Sequence, residues 1–179
     1  DKGPSFGEQF HTDSSYTASP PRFTMLMAKI VPPRGQGNTD FASQYLAYEN
    51  LPENYKKKLE NLKGIFSSSG PISVTRIDRE KEKGTGKSKD FIAKHKIVLE
   101  IERKKTIYCS PGHMIKFDGV SYEESEKIKK FLFKHQIRKD FLFSFEWEKN
   151  TIAIWDNRSM LHQATSFKGT RVMHRITIQ

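Results

Sequence analysis

The chain has one cysteine, Cys109, among 179 residues. A lone thiol excludes an intramolecular disulfide framework and a Cys-rich zinc module, and it fits a reducing, cytoplasmic setting. No apolar run reaches the roughly 18 residues that a membrane-spanning helix needs. The first residues also lack the charged-then-apolar pattern of a signal peptide. A phosphate-binding loop is missing too: "GTGKSK" (84–89) does not have the G-x-x-x-x-G-K-[ST] spacing. No internal repeat is visible.

Acidic residues are comparatively scarce: 21 Asp and Glu stand against 31 Lys and Arg, a formal charge of +10. Such a balance raises nucleic-acid binding as a function class. The lysines are dispersed, however, at 56–58, 81–89, 104–105 and 127–130, and no aromatic–basic recognition pattern accompanies them. Solvated helix faces account for most of them, and only 81–89 reads as a concentrated patch. Nucleic acid is therefore disfavoured as a partner, and an anionic small molecule fits better. An iron-dependent demethylase or a basic binding module stays as the alternative.

Hydrophobic residues make up 35% of the chain and include 13 Phe, enough for one packed domain. "RFTMLMAKIV" (22–31), ended by Pro32-Pro33, predicts a strand. "FASQYLAYENL" and "PENYKKKLENLKG" predict two short helices, with Pro52 at the first position of the second. "KIVLEI" and "KTIYCS" predict a hairpin turning at 102–104. Ser121 and Glu124 form a capping box, and Ile128, Phe131 and Leu132 give the buried face of the helix that follows. "FLFSFEWEK" (141–149) alternates Phe141, Phe143, Phe145 and Trp147 with smaller or polar residues, the period of a strand with one core face. "TIAIWDN" (151–157) and "RVMHRITIQ" (171–179) predict further strands. Residues 67–95 have the Gly, Ser and charge content of a mobile lid or insertion. Strands flanked by a few helices, without β-α alternation, predict a mainly β fold with flanking helices, an antiparallel sandwich or jelly roll.

His11 and Asp13 are two residues apart, so on an extended segment an imidazole and a carboxylate face one side and can share an ion. A third ligand has to come from elsewhere. His135 closes a helix, His95 lies among lysines and reads as exposed, and His174 sits between strand arginines. His162 follows a strand and a polar turn, a place where scaffolds present functional groups. Two histidines and one carboxylate leave half an octahedron open, the pattern of non-haem Fe(II) oxygenases. A capping or packing role for His162 stays open on these grounds.

"HTDSSYTASPP", "GNTDFASQYLAYENLP", "IAIWDNRSMLHQAT" and "RVMHRITI", in that order, resemble the taurine dioxygenase/2,4-dichlorophenoxyacetate dioxygenase family of Fe(II)- and 2-oxoglutarate-dependent oxygenases. The resemblance covers nearly the whole chain and is weakest over 67–95. It implies a double-stranded β-helix, the cupin-like jelly roll, in a single oxygenase domain over 1–179. Because family members carry more chain before the first motif, it also implies that an N-terminal portion is lacking, or that another subunit closes the sheet edges. A homo-oligomer is compatible with either.

By the same resemblance, His11, Asp13 and His162 are the iron ligands. Arg171 pairs with the distal carboxylate of 2-oxoglutarate, and the Thr39 hydroxyl assists it. A guanidinium fork suits that task because it binds a carboxylate bidentately and stays charged. Arg175, on the same strand face, matches the residue that meets the substrate sulfonate in the taurine enzyme. Ser14 and Tyr16 match substrate-pocket positions. His113 stands where the taurine enzyme has an aromatic residue, a departure that puts taurine in doubt. Trp155, Asp156, Asn157 and Arg158 match as structural support for the strand end that presents His162. Related halogenases replace the carboxylate ligand with a small residue, so Asp13 favours oxygenation. The implied reaction consumes O2 and 2-oxoglutarate, releases succinate and CO2, and hydroxylates a small sulfonate or carboxylate. The basic stretch 81–89 is a candidate lid over that anion.

Overall fold

The computed structural model describes residues 7–71 and 90–179. Within them the order is β1 (Phe23–Ile30), β2 (Thr39–Ser43), α1 (Gln44–Glu49), α2 (Glu53–Leu59), β3 (Lys63–Ser67), β4 (Ile92–Lys96), β5 (Val98–Ile101), β6 (Lys104–Ile107), β7 (Met114–Phe117), α3 (Tyr122–His135), β8 (Leu142–Phe145), β9 (Ile152–Asp156), β10 (Met160–Ala164) and β11 (Val172–Ile178). The protein is mainly β with few helices. Three three-stranded sheets have the orders β11-β1-β9, β10-β2-β8 and β4-β3-β7, and β5-β6 stands as a hairpin. Every pairing among these strands is antiparallel. No helix among the described residues is long and apolar enough to cross a membrane.

Local chemistry explains the best-defined elements. The β5-β6 hairpin turns on Glu102 and Arg103, both with positive φ (50° and 66°), the condition for a two-residue turn that matches strand twist. Ser121 caps α3 by accepting from the Glu124 backbone N–H, which satisfies one otherwise orphaned donor. Ile128 and Leu132 then enter the core with Leu59, Phe66, Ile97, Ile107, Met114 and Phe117. Each such side chain contributes about 1.5–3 kcal/mol relative to an exposed one.

The sheet β11-β1-β9 is apolar on both faces. Leu26, opposite Ala153 and Arg175, belongs to the inner face, while Met25 lies between Ile154 and Ile176 on the outer one. Ile152, Ile154, Ile176 and Ile178 are exposed there. This two-sided pattern is why β1 reads as a continuous apolar run rather than an alternating one.

Three local expectations are corrected. Phe41–Ser43, read as the start of a helix, belongs to β2, because β8 and β10 pair with it on either side; the helix begins only at Gln44. Pro52 is the N-cap of α2 rather than its first residue. The alternating run 141–149 yields only the short strand β8. Phe141 and Trp147 are buried, whereas Phe143 is 62% exposed because β8 is the edge of its sheet. In the stretch 67–95, Ser67 ends β3 and Ile92–Lys96 pairs with it as β4. The candidate lid at 81–89 lies outside the described residues.

Candidate metal centre and anion pocket

The site is assembled from the two ends of the chain. His11 and His162 form an isolated antiparallel bridge: the His11 N–H donates to His162 O at 3.0 Å, and the His162 N–H donates to His11 O at 2.8 Å. That exchange sets the rings side by side, with centroids 4.3 Å apart. β10 holds His162 opposite Phe41 of β2, and the Trp155 ring packs 4.7 Å from the imidazole. Beyond His11 the chain turns at once. Ser14 adopts φ 48°, and its carbonyl accepts from both the backbone N–H and the hydroxyl of Thr17. Asp13 thus reaches the histidines from a turn, where sequence reasoning expected an extended segment.

Asp13 Oδ1 lies 3.8 Å from His11 Nε2 and 4.0 Å from His162 Nε2. The three side chains are buried, and their nearest donor atoms all lie within 4.8 Å of one another. The charge states suit a cation. His11 Nδ1 is 2.7 Å from Gln9 O, an atom that can only accept, so Nδ1 carries the proton and Nε2 keeps its lone pair. Burial pushes the His11 pKa down, against the pull of Asp13. Burial, with the nearby His11, lowers the His162 pKa to about 3. For Asp13, burial acts upward, but His162, the Thr24 hydroxyl, His11 and Arg175 outweigh it and hold the carboxyl below its usual range. At neutral pH the cluster is two neutral imidazoles and one carboxylate, a donor set for a divalent transition metal. The His162 Nδ1 is buried without a hydrogen-bond partner, so the ring's polar engagement lies wholly on its Asp13 side.

A cavity of about 230 Å³ opens beside this cluster, between the sheets β11-β1-β9 and β10-β2-β8. His11, His162, Thr39, Arg171 and Arg175 line it with Gly7, Leu26, Trp155, Ala164 and Met173. Two guanidiniums and no acidic side chain stand in that lining, so the space favours an anion. Arg171 is half-buried, and its Nε is buried without a partner. The loss of water lowers its pKa, although a guanidinium remains charged at any physiological pH. A donor buried without an acceptor is costly, and an anion beside the guanidinium would supply one.

Thr39 completes this end of the cavity. Its Oγ1 accepts from Trp147 Nε1 at 3.0 Å and from Arg171 Nη2 at 3.4 Å. With both lone pairs engaged, the hydroxyl proton is left to be donated to a ligand. Gly37, at φ 65°, packs against the stem of Arg171, and a Cβ there would lie 2.6 Å from Pro32 Cγ and 3.2 Å from Arg171 Cδ.

Arg175 faces the cavity and also approaches Asp13 Oδ1 at 3.4 Å, so it balances the carboxylate's charge. Ser14, Tyr16 and His113 are not among the cavity's lining residues. His113 is buried with its ring 5.0 Å from Tyr16 and 6.3 Å from His11, so these aromatics flank the metal cluster. Two histidines are placed differently from their sequence reading. His95 is partly buried, and its Nε2 lies 3.0 Å from both Ser15 O and Thr17 O, tying β4 to the turn after Asp13. His135 ends α3 as expected but is buried, contacting Ala47 O at 2.7 Å. Thr24, Trp147 and Gly37 were not singled out from sequence, because a strand Thr, a core Trp and a loop Gly carry no local mark of a site.

The family model described as "Taurine catabolism dioxygenase TauD, TfdA family" matches residues 1–177 of this chain. The alpha-ketoglutarate-dependent dioxygenase cnsP of Penicillium expansum is 31% identical over 160 residues, covering 88% of this chain and 43% of that protein. An alkylsulfatase of Acinetobacter baylyi is 29% identical over 180 residues, covering 94% of this chain and 56% of its own length. The chain therefore spans about half the length of these curated relatives. Among solved structures, AAD-2 in complex with Mn(II) and N-oxalylglycine aligns with a TM-score of 0.81 and 26% identity, over 96% of this chain and 68% of that one.

Proposed function

Because the chain belongs to the taurine catabolism dioxygenase TauD, TfdA family, we propose that it is the catalytic part of an Fe(II)- and 2-oxoglutarate-dependent dioxygenase acting on a small organic anion. One observation carries this reading. A single cavity joins the histidines of a buried His-Asp-His cluster to a buried arginine nitrogen without a partner. AAD-2, the matched structure, holds a divalent metal and an oxalyl compound together, the pair of ligands that such a cavity suits.

In this proposal His11, Asp13 and His162 hold Fe(II), and the two sheets around the cavity are the walls of a double-stranded β-helix. With 2-oxoglutarate and O2, the bound iron supplies the oxidising chemistry that yields succinate, CO2 and a hydroxylated substrate. The chain's own residues bind and orient. Arg171 pairs with the distal carboxylate of 2-oxoglutarate, and the free Thr39 proton adds a second donor, fixing which end of the cosubstrate faces the metal cluster. Trp155, Leu26 and Met173 make the cavity wall apolar and exclude water. Arg175 meets the anionic group of the substrate. In the same reading Ser14, Tyr16 and His113 belong to the substrate pocket, with His113 offered to a carboxylate or sulfate oxygen. The similarity to an alkylsulfatase supports a sulfur oxyanion as the substrate's charged group.

Anaerobic titration of the full-length protein with Fe(II) and 2-oxoglutarate tests the reading. A metal-to-ligand charge-transfer band is expected, and His162→Ala should abolish it. No band in the wild type, or an unchanged band in the variant, rejects the assignment. A succinate-release screen across alkyl sulfates, sulfonates and aryloxy acids then identifies the substrate class.

A further inference from the structure

The two carboxylate oxygens of Asp13 have different surroundings. Oδ1 faces His11 Nε2, His162 Nε2 and Arg175 Nη1. Oδ2 accepts the Thr24 hydroxyl at 2.6 Å. A hydroxyl has one proton and two lone pairs, and Asn157 Nδ2 donates to the same Thr24 oxygen at 2.8 Å. An amide nitrogen cannot accept, so the Thr24 proton is directed to Asp13. Asn157 is itself locked. Its Nδ2 also donates to Pro21 O at 3.2 Å, and its Oδ1 accepts from Trp155 Nε1 at 3.1 Å. Turning the amide over would set oxygen against a carbonyl and N–H against N–H. A further tie runs from the Thr12 hydroxyl to Asn157 O at 2.6 Å, so the residue between the two ligands is pinned to the same asparagine. Thr24 and Asn157 are fully buried, which keeps water from replacing either bond.

We infer that Thr24, held by Asn157, is a positioning residue that reserves Asp13 Oδ2 and leaves Oδ1 alone as the metal ligand. The inference rests on the proposed metal role of Asp13. The sequence reading had Asn157 support the strand end that presents His162; here the asparagine acts on the ligand in the turn, Asp13, through a threonine more than a hundred residues away. With one carboxylate oxygen and two imidazoles engaged, three of six octahedral positions stay open. A carboxylate free to rotate could bind through both oxygens and close one of them.

The test uses metal binding without turnover. Mn(II) affinity is measured by electron paramagnetic resonance in the absence of 2-oxoglutarate, and Co(II) substitution reports ligand geometry through its visible absorption. Thr24→Val keeps the shape and removes the donor. It should weaken Mn(II) binding about 10- to 100-fold, the usual range for lost outer hydrogen bonds to a ligand, and should shift the Co(II) bands. Thr24→Ser restores the hydroxyl and should return both to wild type. Wild-type affinity with an unshifted spectrum in Thr24→Val overturns the inference, as does a failure of Thr24→Ser to rescue. Asp13→Ala separates the two levels: if it binds Mn(II) normally, the metal assignment itself falls. Thermal unfolding of each apo variant checks folding. Should Thr24→Val not fold, the wild type decides by infrared spectroscopy on 13C-aspartate-labelled protein with metal. Widely split carboxylate stretches support one-oxygen binding, and a narrow splitting overturns it.

Discussion

Arg171 rests its side chain against the bare backbone of Gly37, whose added Cβ would come within 3.2 Å of Arg171 Cδ. The glycine's positive φ and the 2.6 Å approach to Pro32 leave no room for relaxation on that side. Gly37→Ala should therefore displace the guanidinium while leaving the metal cluster intact. The expected result is roughly a tenfold weaker 2-oxoglutarate affinity, about 1.4 kcal/mol, with unchanged Mn(II) affinity. Calorimetric titration of each ligand separately checks this split.

Arg171 itself should show a trade between stability and binding. Its buried Nε lacks a partner, so Arg171→Met removes a buried donor that the ligand-free protein leaves unsatisfied. The ligand-free variant should melt at a higher temperature than the wild type. Its 2-oxoglutarate requirement should rise about 10- to 150-fold, corresponding to about 1.5–3 kcal/mol for hydrogen bonds to a charged group. Calorimetric melting with and without 2-oxoglutarate measures both effects, and at one concentration the cosubstrate should stabilise the wild type more than the variant.

Acid should weaken the apo protein earlier than its carboxylates alone would allow. His11 and His162 have folded-state pKa values below the ordinary 6.5, that of His162 about 3. Between those values the unfolded chain binds more protons than the native one, so stability is full above pH 6.5 and declines as pH falls. The slope is up to about 1.4 kcal/mol per pH unit per imidazole. Asp13, also depressed, adds to the loss below its ordinary value of 3.8. Urea midpoints measured from pH 7.5 to 4 in chelator should follow this curve, and His162→Phe should flatten it.

Leu132 occupies the inner face of α3 and is fully buried among Phe117, Ile128 and their neighbours. Leu132→Ala should cost about 2–5 kcal/mol. Because α3 contributes no residue to the cavity, the folded fraction should keep its Mn(II) and 2-oxoglutarate affinities. Denaturant titration beside ligand titration distinguishes this from a change at the site.

Legibility followed the range of the interaction. β1, β9 and β11 stood out because β-branched and apolar residues dominate each, and α3 because Ser121 writes its start locally. The short strands β2, β3, β7 and β10 did not, since four or five residues of mixed polarity become strands only through their neighbours. Phe143 shows the converse: a correct period says which residues share a face but not whether that face is covered. His11 and Asp13 suggested an ion by spacing, and His162 stood out by its place after a strand and a polar turn, yet Thr39 and Arg171 joined them only by family resemblance, since no local rule connects such distant positions. Thr24 stayed invisible for the same reason.

The paired backbone bonds between His11 and His162 bear on how the molecule folds. They close nearly the whole described chain into one loop, the kind of contact whose entropic cost must be met late in folding. The ion site is therefore absent from any partly folded form in which either end is loose. A metal bound here acts as a latch on the finished topology, and by mass action it suppresses every partial opening that parts the first strand segments from the last. Hydrogen exchange in β10 and in the turn after His11 should slow together when metal is added, as one cooperative unit.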